Sequence, residues 1–562
     1  MFFPLRTGTT GKPVIFNQLS GPFFIMIIMK KFTKMTGMFE RKIILFLMTV
    51  VVTLGSGKPS SGSEELSAKQ SAGIEIDSNL KFVSLSLKES IVYALRNNFD
   101  IEVSKLNSKI SDYDITKEKS RFDPVFKVTG NIQNNETPST NLLQLGSSTA
   151  TAIRPYVMDQ NSGSAVLQSL VPTGATLYLS YNVARSFYDP SPFQLLNPVY
   201  TNYIEAGLTQ PLLKGGGWFY NRSLIYIARN NKKISLAQFK SRAITVSGTV
   251  QESYWNYIRA TENLKVAKKS LERAEDLLRK NRTQVEVGTL APVDVIDAES
   301  GVASRVEFVI SAENAIKDQE DELKRIINFA DNEIISDATI VPTDKPIFEP
   351  KKVELKDTIK TAMENRPELT ELQLATENAG MQTRRRKNEL YPQLDFTGGI
   401  RYTGIGKEVS NANDLVFSES YQGEFLGLTF SIPIGNRPAR SEYNKSKLNE
   451  RQATINFKKK ELDVVVEVRE AVRQVMTNIE RVKATRKARE LAIKRLENEE
   501  NKFSVGRSTS LEILRAQENL ALAEFEETRA IIDYEISLGN LERAKGTILD
   551  VYDIKLEEET AT

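Results

Sequence analysis

The chain has 562 residues, of which 40% are hydrophobic and 26% charged, and this composition is typical of an ordered protein. Its 75 basic and 72 acidic residues give a net charge of +3, so charge gives no indication of a nucleic-acid partner. It contains no histidine and no cysteine, which excludes the commonest general base, the usual zinc ligands, thiol nucleophiles and disulfides. Because the remaining residues form no catalytic motif, we expect a protein that is not an enzyme and has no cofactor or metal.

The first 56 residues are typical of an export signal. Arg41 and Lys42 precede a mostly apolar run over 43–54, and small residues follow at 55–57. Basic, apolar and small residues in that order predict a secretory signal peptide. The apolar run is shorter than the roughly 20 residues that a membrane-spanning helix needs. An uncleaved N-terminal anchor is the alternative interpretation.

A second apolar run, over 23–29, lies upstream of this signal. We interpret it as part of an upstream misreading, so that translation starts at Met35 or Met38. Residues 57–84 are rich in Ser, Gly and Lys and predict a flexible lead-in.

The rest of the chain contains two copies of one pattern. The segment that begins at Leu87 matches the one that begins at Leu355, and Pro124 aligns with Pro392 at the same offset. The predicted organisation is a first structural repeat over 85–330, an inter-repeat linker over 331–354, a second repeat over 355–546 and a C-terminal tail over 547–562.

Each copy begins with a predicted helix, roughly 87–120 in the first and 355–390 in the second. Apolar residues follow helical spacing there, and Pro124 and Pro392 end the pattern because proline and the residue before it resist helix continuation.

Segments with a period of two come next, and Pro211 and Pro433 end them. Apolar and polar residues alternate over 126–132, 175–183, 204–209, 394–402 and 426–432. Such strands fit a membrane barrel with lipid outside and water inside, or a half-buried soluble sandwich. The export signal and the long helices favour the barrel.

Long helices are predicted over roughly 220–287 and 437–505, each about 100 Å long at about 1.5 Å per residue. Their apolar residues recur at 3-4 spacing, which predicts coiled coils. Gly288 and Gly506 end these helices, and return helices begin near Pro292 and Leu511. The two turns are therefore tips of helical hairpins.

Together these elements resemble the TolC-like outer-membrane efflux proteins over about residues 85–546. The similar motifs are Gly207–Gly216, Asn365-Arg366-Pro367 and the two tip sequences around Gly288 and Gly506. The resemblance implies a mainly α fold with membrane β: a tandem-repeat α-barrel and β-barrel, with long antiparallel coiled-coil hairpins. About four amphipathic strands per chain would form a barrel that a trimer completes.

The first copy is 46 residues longer than the second between its Thr-Gly and the proline that ends the strands. This excess adds a hairpin, giving eighteen barrel strands in a trimer, or forms an extracellular extension of a twelve-stranded barrel. We expect the extension.

The resemblance also implies a function. The chain would be a passive channel subunit of a tripartite efflux or type I secretion system, located in the cell outer membrane with its helical tube in the periplasm. Its implied partners are two further copies, a periplasmic adaptor, an inner-membrane pump of RND or ABC type, and outer-membrane lipid. A periplasmic adaptor and a coiled-coil structural protein are the alternatives; neither explains the paired hairpins together with the alternating strands.

The resemblance places a gate at the helical tips. Its candidate residues are an aromatic and charged set: Asp294, Asp297, Phe503, Arg507, Glu512 and Arg515. The expected latches pair Asp294 with Arg507, and Arg515 with Glu512 or Asp297; the alternative is that these are ordinary surface charges. The family's Arg position is Ser508 here.

Polar strand positions complete the candidate residues. We expect Lys127, Asp395 and Arg401 to face the channel interior and to tune conductance.

Overall fold

The computed structural model describes residues 82–138, 155–329 and 338–556. The predicted signal peptide and residues 57–81 of the predicted lead-in lie outside the described residues. The elements of the first repeat are β1 (Phe82–Leu85), α1 (Leu87–Asn97), α2 (Phe99–Lys119), β2 (Val125–Pro138), β3 (Pro155–Leu170), β4 (Thr176–Asp189), β5 (Val199–Pro211), α3 (Trp218–Glu286) and α4 (Pro292–Ile327). Those of the second are β6 (Thr339–Pro342), α5 (Leu355–Asn365), α6 (Pro367–Asn388), β7 (Gln393–Gly406), α7 (Val409–Phe417), β8 (Gln422–Ser431), α8 (Arg437–Ser504), α9 (Ser510–Lys545) and α10 (Ile548–Val551).

The long helices confirm the coiled-coil prediction. α3 has 69 residues and α8 has 68, so each is about 100 Å long. One face of α8 carries valines at 3-4 spacing, and they are fully buried: Val464, Val468, Val472, Val475 and Val482. No described helix has the length and apolar content that crossing a membrane would require.

The predicted single helices at the start of each repeat are wrong, because each is broken in the same place. Asn98 lies between α1 and α2, and its side chain accepts a hydrogen bond from the backbone N–H of Asp100, which caps α2. Pro367 is in the first turn of α6, where its missing N–H costs no helical hydrogen bond. A local cap therefore overrides the continuous apolar periodicity.

β2 to β5, β7 and β8 form one antiparallel sheet in the order β2-β3-β4-β5-β7-β8. The prediction of about four strands, with the excess as an extension, is wrong for this sheet, because the described residues alone contribute six strands to it. β3 pairs with the whole of β2, from Pro155 opposite Pro138 to Gln168 opposite Val125, and with β4 along most of its length. The 46 extra residues of the first copy therefore add a hairpin to the sheet itself. Alternation did not reveal β3, because in its outer half an apolar run over 156–158 is followed by an unbroken polar run over 159–162.

The register gives the sheet a polar face and an apolar face. One cross-strand row on the polar face contains Lys127, Val166, Ser180, Glu205, Arg401 and Gly423. The adjacent row on the apolar face contains Phe126, Leu167, Leu179, Ala206, Ile400 and Glu424. Lys127 and Arg401 share the polar face, and Asp395 shares it too because it lies an even number of residues from Arg401 in β7.

A two-stranded parallel sheet of β1 and β6 joins the repeats. The buried Tyr254 hydroxyl of α3 donates to the Leu85 carbonyl, and that of Tyr257 donates to the Ile340 carbonyl. Segments predicted as connections therefore contain structure: the lead-in ends in β1, the linker contains β6, and the tail contains α10. Ile548 and Leu549 of that tail are buried in the same core.

The helices form a layer whose order changes along its length. Near the six-stranded sheet the neighbours run α2-α3-α6-α8, and toward the tips they run α4-α3-α9-α8. α8 is therefore at one edge of the layer throughout, and α2 and α4 share the other edge.

Candidate gate at the helical tips

The first hairpin tip follows α3. Val287 caps the helix, Gly288 adopts a φ of 77°, and the Thr289 N–H donates to the Gln284 carbonyl. Gly288 is required because a left-handed φ is strained for residues with a Cβ. Pro292 then opens α4, as predicted.

The second tip follows α8 in the same way. Gly506 adopts a φ of 70°, and the Arg507 N–H donates to the Lys502 carbonyl. Thr509 caps α9 by accepting a hydrogen bond from the backbone N–H of Glu512 at 3.4 Å. Both tips therefore lie at the residues that the sequence predicted.

A buried asparagine joins the two tips. Asn281 of α3 is fully buried, and its Nδ2 donates to the Ser510 Oγ at 2.6 Å and to the Asp294 carbonyl at 3.0 Å. One amide thus connects α3, α4 and α9. Sequence reasoning missed Asn281, although it lies seven residues after buried Ala274, and a single Asn in an apolar coiled-coil seam is a recognisable signal.

A small apolar cluster lies behind this amide and includes Leu277, Leu496, Ile513 and Leu514. Phe503, the predicted gate aromatic, is half-buried and packs against it. The ring therefore stabilises the tip of its own chain.

The charged candidates are only partly brought together. Arg515 and Glu512 form a 2.8 Å salt bridge within α9. Within the described part of one chain, Asp294, Asp297 and Arg507 form no salt bridge. The Asp294–Arg507 latch thus stays a prediction.

Ser508, which stands at the family's Arg position, contacts an acid of its own hairpin. Its Oγ donates to Glu499 at 2.9 Å, and Lys502 donates to the same carboxylate at 2.6 Å. The hydrogen bond from Lys502, and to a smaller extent the one from Ser508, lowers the pKa of Glu499. This acid therefore stays ionised at the tip.

Further ion pairs hold the two hairpins side by side above the tips. Arg273 of α3 contacts Glu524 of α9 through two nitrogens, at 3.0 and 3.1 Å, and both side chains are largely buried. Asp533 of α9 contacts Arg259 at 3.4 Å and Arg481 of α8 at 2.9 Å. The contact of Arg273 with Glu524 through two nitrogens fixes the orientation of the two side chains as well as their distance.

The ends of the tips are apolar and exposed. The side chains concerned are Val287, Val293, Ile296, Val505 and Leu511. Apolar surface that remains exposed at the end of a charged coiled coil is typical of a contact site for another protein.

The strand-to-helix turns lie at the far end of the helices. Pro211 ends β5, and its carbonyl accepts a hydrogen bond from Gln210 Nε2 at 2.7 Å. Asn221 Nδ2 donates to the carbonyls of Gly215 and Gly217 at the start of α3. Pro433 occupies the equivalent place between β8 and α8. Both prolines therefore mark the junction of sheet and helices, as predicted.

One ion pair lies on the polar face of the sheet. Glu205 accepts a hydrogen bond from the Tyr178 hydroxyl at 2.7 Å and from Arg401 Nε at 2.6 Å. The Arg401 guanidinium also lies 4.7 Å from the centre of the Tyr203 ring. The Glu205 side chain is 11% exposed and that of Arg401 is 48% exposed, so the cation is the group that this face presents.

Comparisons with known proteins agree with this architecture. The TolC protein of Escherichia coli K12 is 25% identical over 302 residues, which cover 53% of this chain and 60% of that protein. The alkaline protease secretion protein AprF of Pseudomonas aeruginosa is 21% identical over 397 residues, covering 68% and 78%. The Campylobacter jejuni CmeC outer membrane channel shares the fold, with a TM-score of 0.58, 15% identity, and coverage of 82% of this chain and 86% of that one.

The family model described as outer membrane efflux protein matches residues 91–328 and 358–547. These two segments correspond to the two structural repeats and cover more than half of the chain. The match favours the channel over the adaptor and structural alternatives. The chain belongs to the outer membrane efflux protein family.

Proposed function

We propose that this chain is one subunit of a trimeric outer-membrane channel, a passive conduit from periplasm to exterior that is gated at the helical tips. The observation that carries the proposal is the six-stranded sheet, which has one polar face and one apolar face and whose two edges have no partner strand within the described part of the chain. In a membrane every backbone polar group must be paired, so an open sheet cannot remain in lipid.

The two edges are complementary. β2 leads away from the helices and β8 returns to them, so β8 of one chain beside β2 of the next continues the antiparallel alternation. Large apolar side chains on both edge strands are exposed in the single chain: Phe126, Val128, Ile132, Leu426, Leu428 and Phe430. Their placement on the apolar face is the pattern of a lipid-facing surface.

Three such chains give eighteen strands. With strands about 4.8 Å apart and tilted by about 40°, the backbone radius of a barrel is about 12 Å for twelve strands and about 18 Å for eighteen. The added β3–β4 hairpin therefore widens the channel and does not merely lengthen it.

The helix layer has matching edges. α2 exposes an apolar stripe at alternating 4 and 3 spacing, made of Phe99, Val103, Leu106, Ile110 and Tyr113. α8, at the opposite edge, exposes Leu448, Ile455 and Leu462 at heptad spacing. Stripes of this kind are coiled-coil seams that need a partner helix, and a neighbouring copy supplies one for each.

The tips supply the gate and the docking end. Asn281 and the ion pairs Arg273–Glu524 and Arg259–Asp533 hold the two hairpins together. The exposed charges at the tips would add latches of about 0–1 kcal/mol each, which suits a gate that must open. The exposed apolar tip residues are the proposed contact for a periplasmic adaptor, which links the channel to an inner-membrane pump of RND or ABC type. Cargo passes by diffusion, without chemistry.

The proposal is tested by membrane fractionation, light scattering of the detergent-solubilised protein, and conductance in planar bilayers. We expect recovery from the outer membrane, a mass three times that of one chain, and ion-conducting pores. Recovery of a soluble monomer would overturn the proposal.

A matched pair of variants makes the test specific to the proposed subunit interface. Leu106→Asp places a charge in the exposed stripe of α2, and Asn107→Asp places the same charge on the neighbouring exposed position outside the stripe. The first should lower the yield of trimer strongly, and the second should leave it unchanged. Equal yields would show that this stripe is not the interface.

A further inference from the structure

The connection between β7 and β8 contains α7, a nine-residue helix that lies on the apolar face of the sheet. It packs against β5 and β7, and its Ala412 and Val416 are buried. The strand residues that it contacts include Tyr181 of β4, Asn202 of β5 and Gly404 of β7, and the register places all three on the apolar face. An outward-facing apolar surface thus carries a helix on top of it.

Two glycines of β7 make this close approach possible. A Cβ at Gly404 would lie 1.9 Å from the Ala412 carbonyl oxygen, and a Cβ at Gly406 would lie 2.7 Å from the Asn411 Cβ. Any side chain at Gly404 would push α7 off the strand. The contact is therefore built into the sheet and is not a loop resting on it.

α7 covers a polar cluster on the apolar face. Asn202 is fully buried, and its Nδ2 donates to Asn413 Oδ1 at 2.7 Å and to the Val409 carbonyl at 3.3 Å. The Tyr181 hydroxyl donates to the same Asn413 oxygen at 2.7 Å. Without α7 these groups would face hydrocarbon unpaired, which is unfavourable in lipid because no water is there to pair with them.

The height of this cluster matches the outer boundary of a membrane. Asn202 lies nine residues before Pro211, where β5 ends at the helices. At about 3.3 Å per residue and a tilt of about 40°, that separation is about 23 Å along the barrel axis. The apolar band of an outer-membrane barrel is about 25 Å tall. α7 thus lies at the outer edge of the band.

Below the C-terminal end of α7 lies an apolar notch of about 130 Å³. Leu179, Ile204, Ala206, Ile400, Tyr402, Val416, Phe417 and Glu419 line it. Its strand residues come from β4, β5 and β7, which lie in the middle of the sheet. A neighbouring copy would pair with the edge strands β2 and β8, so it would not cover the notch. The notch lies on the apolar face of the sheet, and Glu419 is the one charged residue in its described lining.

We propose that the notch is a binding site for an acyl chain of an outer-leaflet lipid, and that α7 is an interfacial helix that holds the lipid against the barrel. The inference rests on the proposed function, because it requires the apolar face to lie in lipid. Apolar walls exclude a polar ligand, and a volume of this size holds several methylene groups, not a whole lipid. The headgroup would remain outside, level with α7 and its polar cluster.

The first experiment locates the face. Because the chain contains no cysteine, a single Cys at Ala206 carries a nitroxide without background labelling, and Thr403→Cys is the matched position on the polar face. In a reconstituted trimer, we expect the label at 206 to be accessible to oxygen and shielded from a water-soluble relaxer, and the label at 403 to show the reverse. Water access at 206 would overturn the proposed orientation of the sheet, and the lipid site with it.

The second experiment tests the notch itself. Ala206→Phe fills it, and Leu208→Phe adds bulk on the same face of β5 outside the notch. Native mass spectrometry of trimers in mild detergent should show up to three tightly held lipids, which are lost in A206F and kept in L208F. Should A206F fail to assemble, Ile400→Phe fills the notch from β7. Equal lipid retention in the assembled notch variant and in L208F would overturn the lipid site and leave the channel proposal standing.

Discussion

Replacing Asn281 by alanine should loosen the proposed gate. The amide side chain donates two hydrogen bonds, to Ser510 and to the Asp294 carbonyl, at a fully buried position between the tips. Loss of the amide leaves the Ser510 hydroxyl and the Asp294 carbonyl without this donor. Each buried polar group that is left unsatisfied destabilises the tip by about 1–3 kcal/mol. A change of about 2 kcal/mol in favour of the open tip shifts the open-to-closed ratio about 30-fold, because each 1.4 kcal/mol is a factor of ten.

The assay is the resting conductance of single trimers in planar bilayers, together with the sensitivity of cells to an antibiotic too large for an intact outer membrane. Asn281→Ala should raise both. Ser510→Ala should raise them less, and the double variant should add little to N281A, because the two side chains share one hydrogen bond. Ser504→Ala is the control, since the Ser504 hydroxyl lies on the same tip but donates only to the Asn501 carbonyl.

A normal resting conductance in a correctly assembled N281A trimer would refute this reasoning. It would show that contacts between neighbouring chains, and not the contact between the two hairpins of one chain, keep the tips closed.

Three further predictions follow from buried or paired charges. Arg366 is buried and donates hydrogen bonds to Glu368, Glu467 and the Ala544 carbonyl. Arg366→Met should therefore lower the free energy of unfolding by about 2–4 kcal/mol and reduce the Tm. Arg325 is exposed, so the control variant Arg325→Met should leave the Tm unchanged. Burial raises the pKa of Glu535 to about 7, so the folded chain favours the neutral acid. The stability of the fold should therefore decrease as the pH rises from about 4.5 to about 7. In melting curves recorded across this pH range, Glu535→Gln should remove the decrease. Glu205→Gln removes the partner of Arg401 on the polar face, so at low salt the reversal potential should move toward anion selectivity, and Arg401→Gln should move it in the opposite direction.

The helical half of the molecule was predictable because its signals are repeated. The buried valines of α8 recur at 3-4 spacing over several turns, and both tips carry a glycine with left-handed φ followed by a helix-starting residue. Such local signals need no knowledge of the partner surface. The breaks at Asn98 and Arg366 were missed because a single cap or proline outweighs a periodicity that continues on either side.

The sheet and the gate were harder to predict for different reasons. β3 lacks alternation in its outer half, so only pairing with β2 and β4 identifies it as a strand. α7 was missed because its contacts with Asn202 and Gly404 come from residues distant in sequence. The Asp294–Arg507 latch stays a prediction, because the two side chains form no salt bridge in the described part of one chain.

The central claim is that three chains share one eighteen-stranded barrel, and an electron cryo-microscopy map of the intact protein in lipid nanodiscs tests it most directly. We expect threefold symmetry, six strands per chain in the order β2-β3-β4-β5-β7-β8, and β8 of each chain paired with β2 of the next. A twelve-stranded barrel with β3 and β4 outside the wall, or an assembly without threefold symmetry, would contradict it.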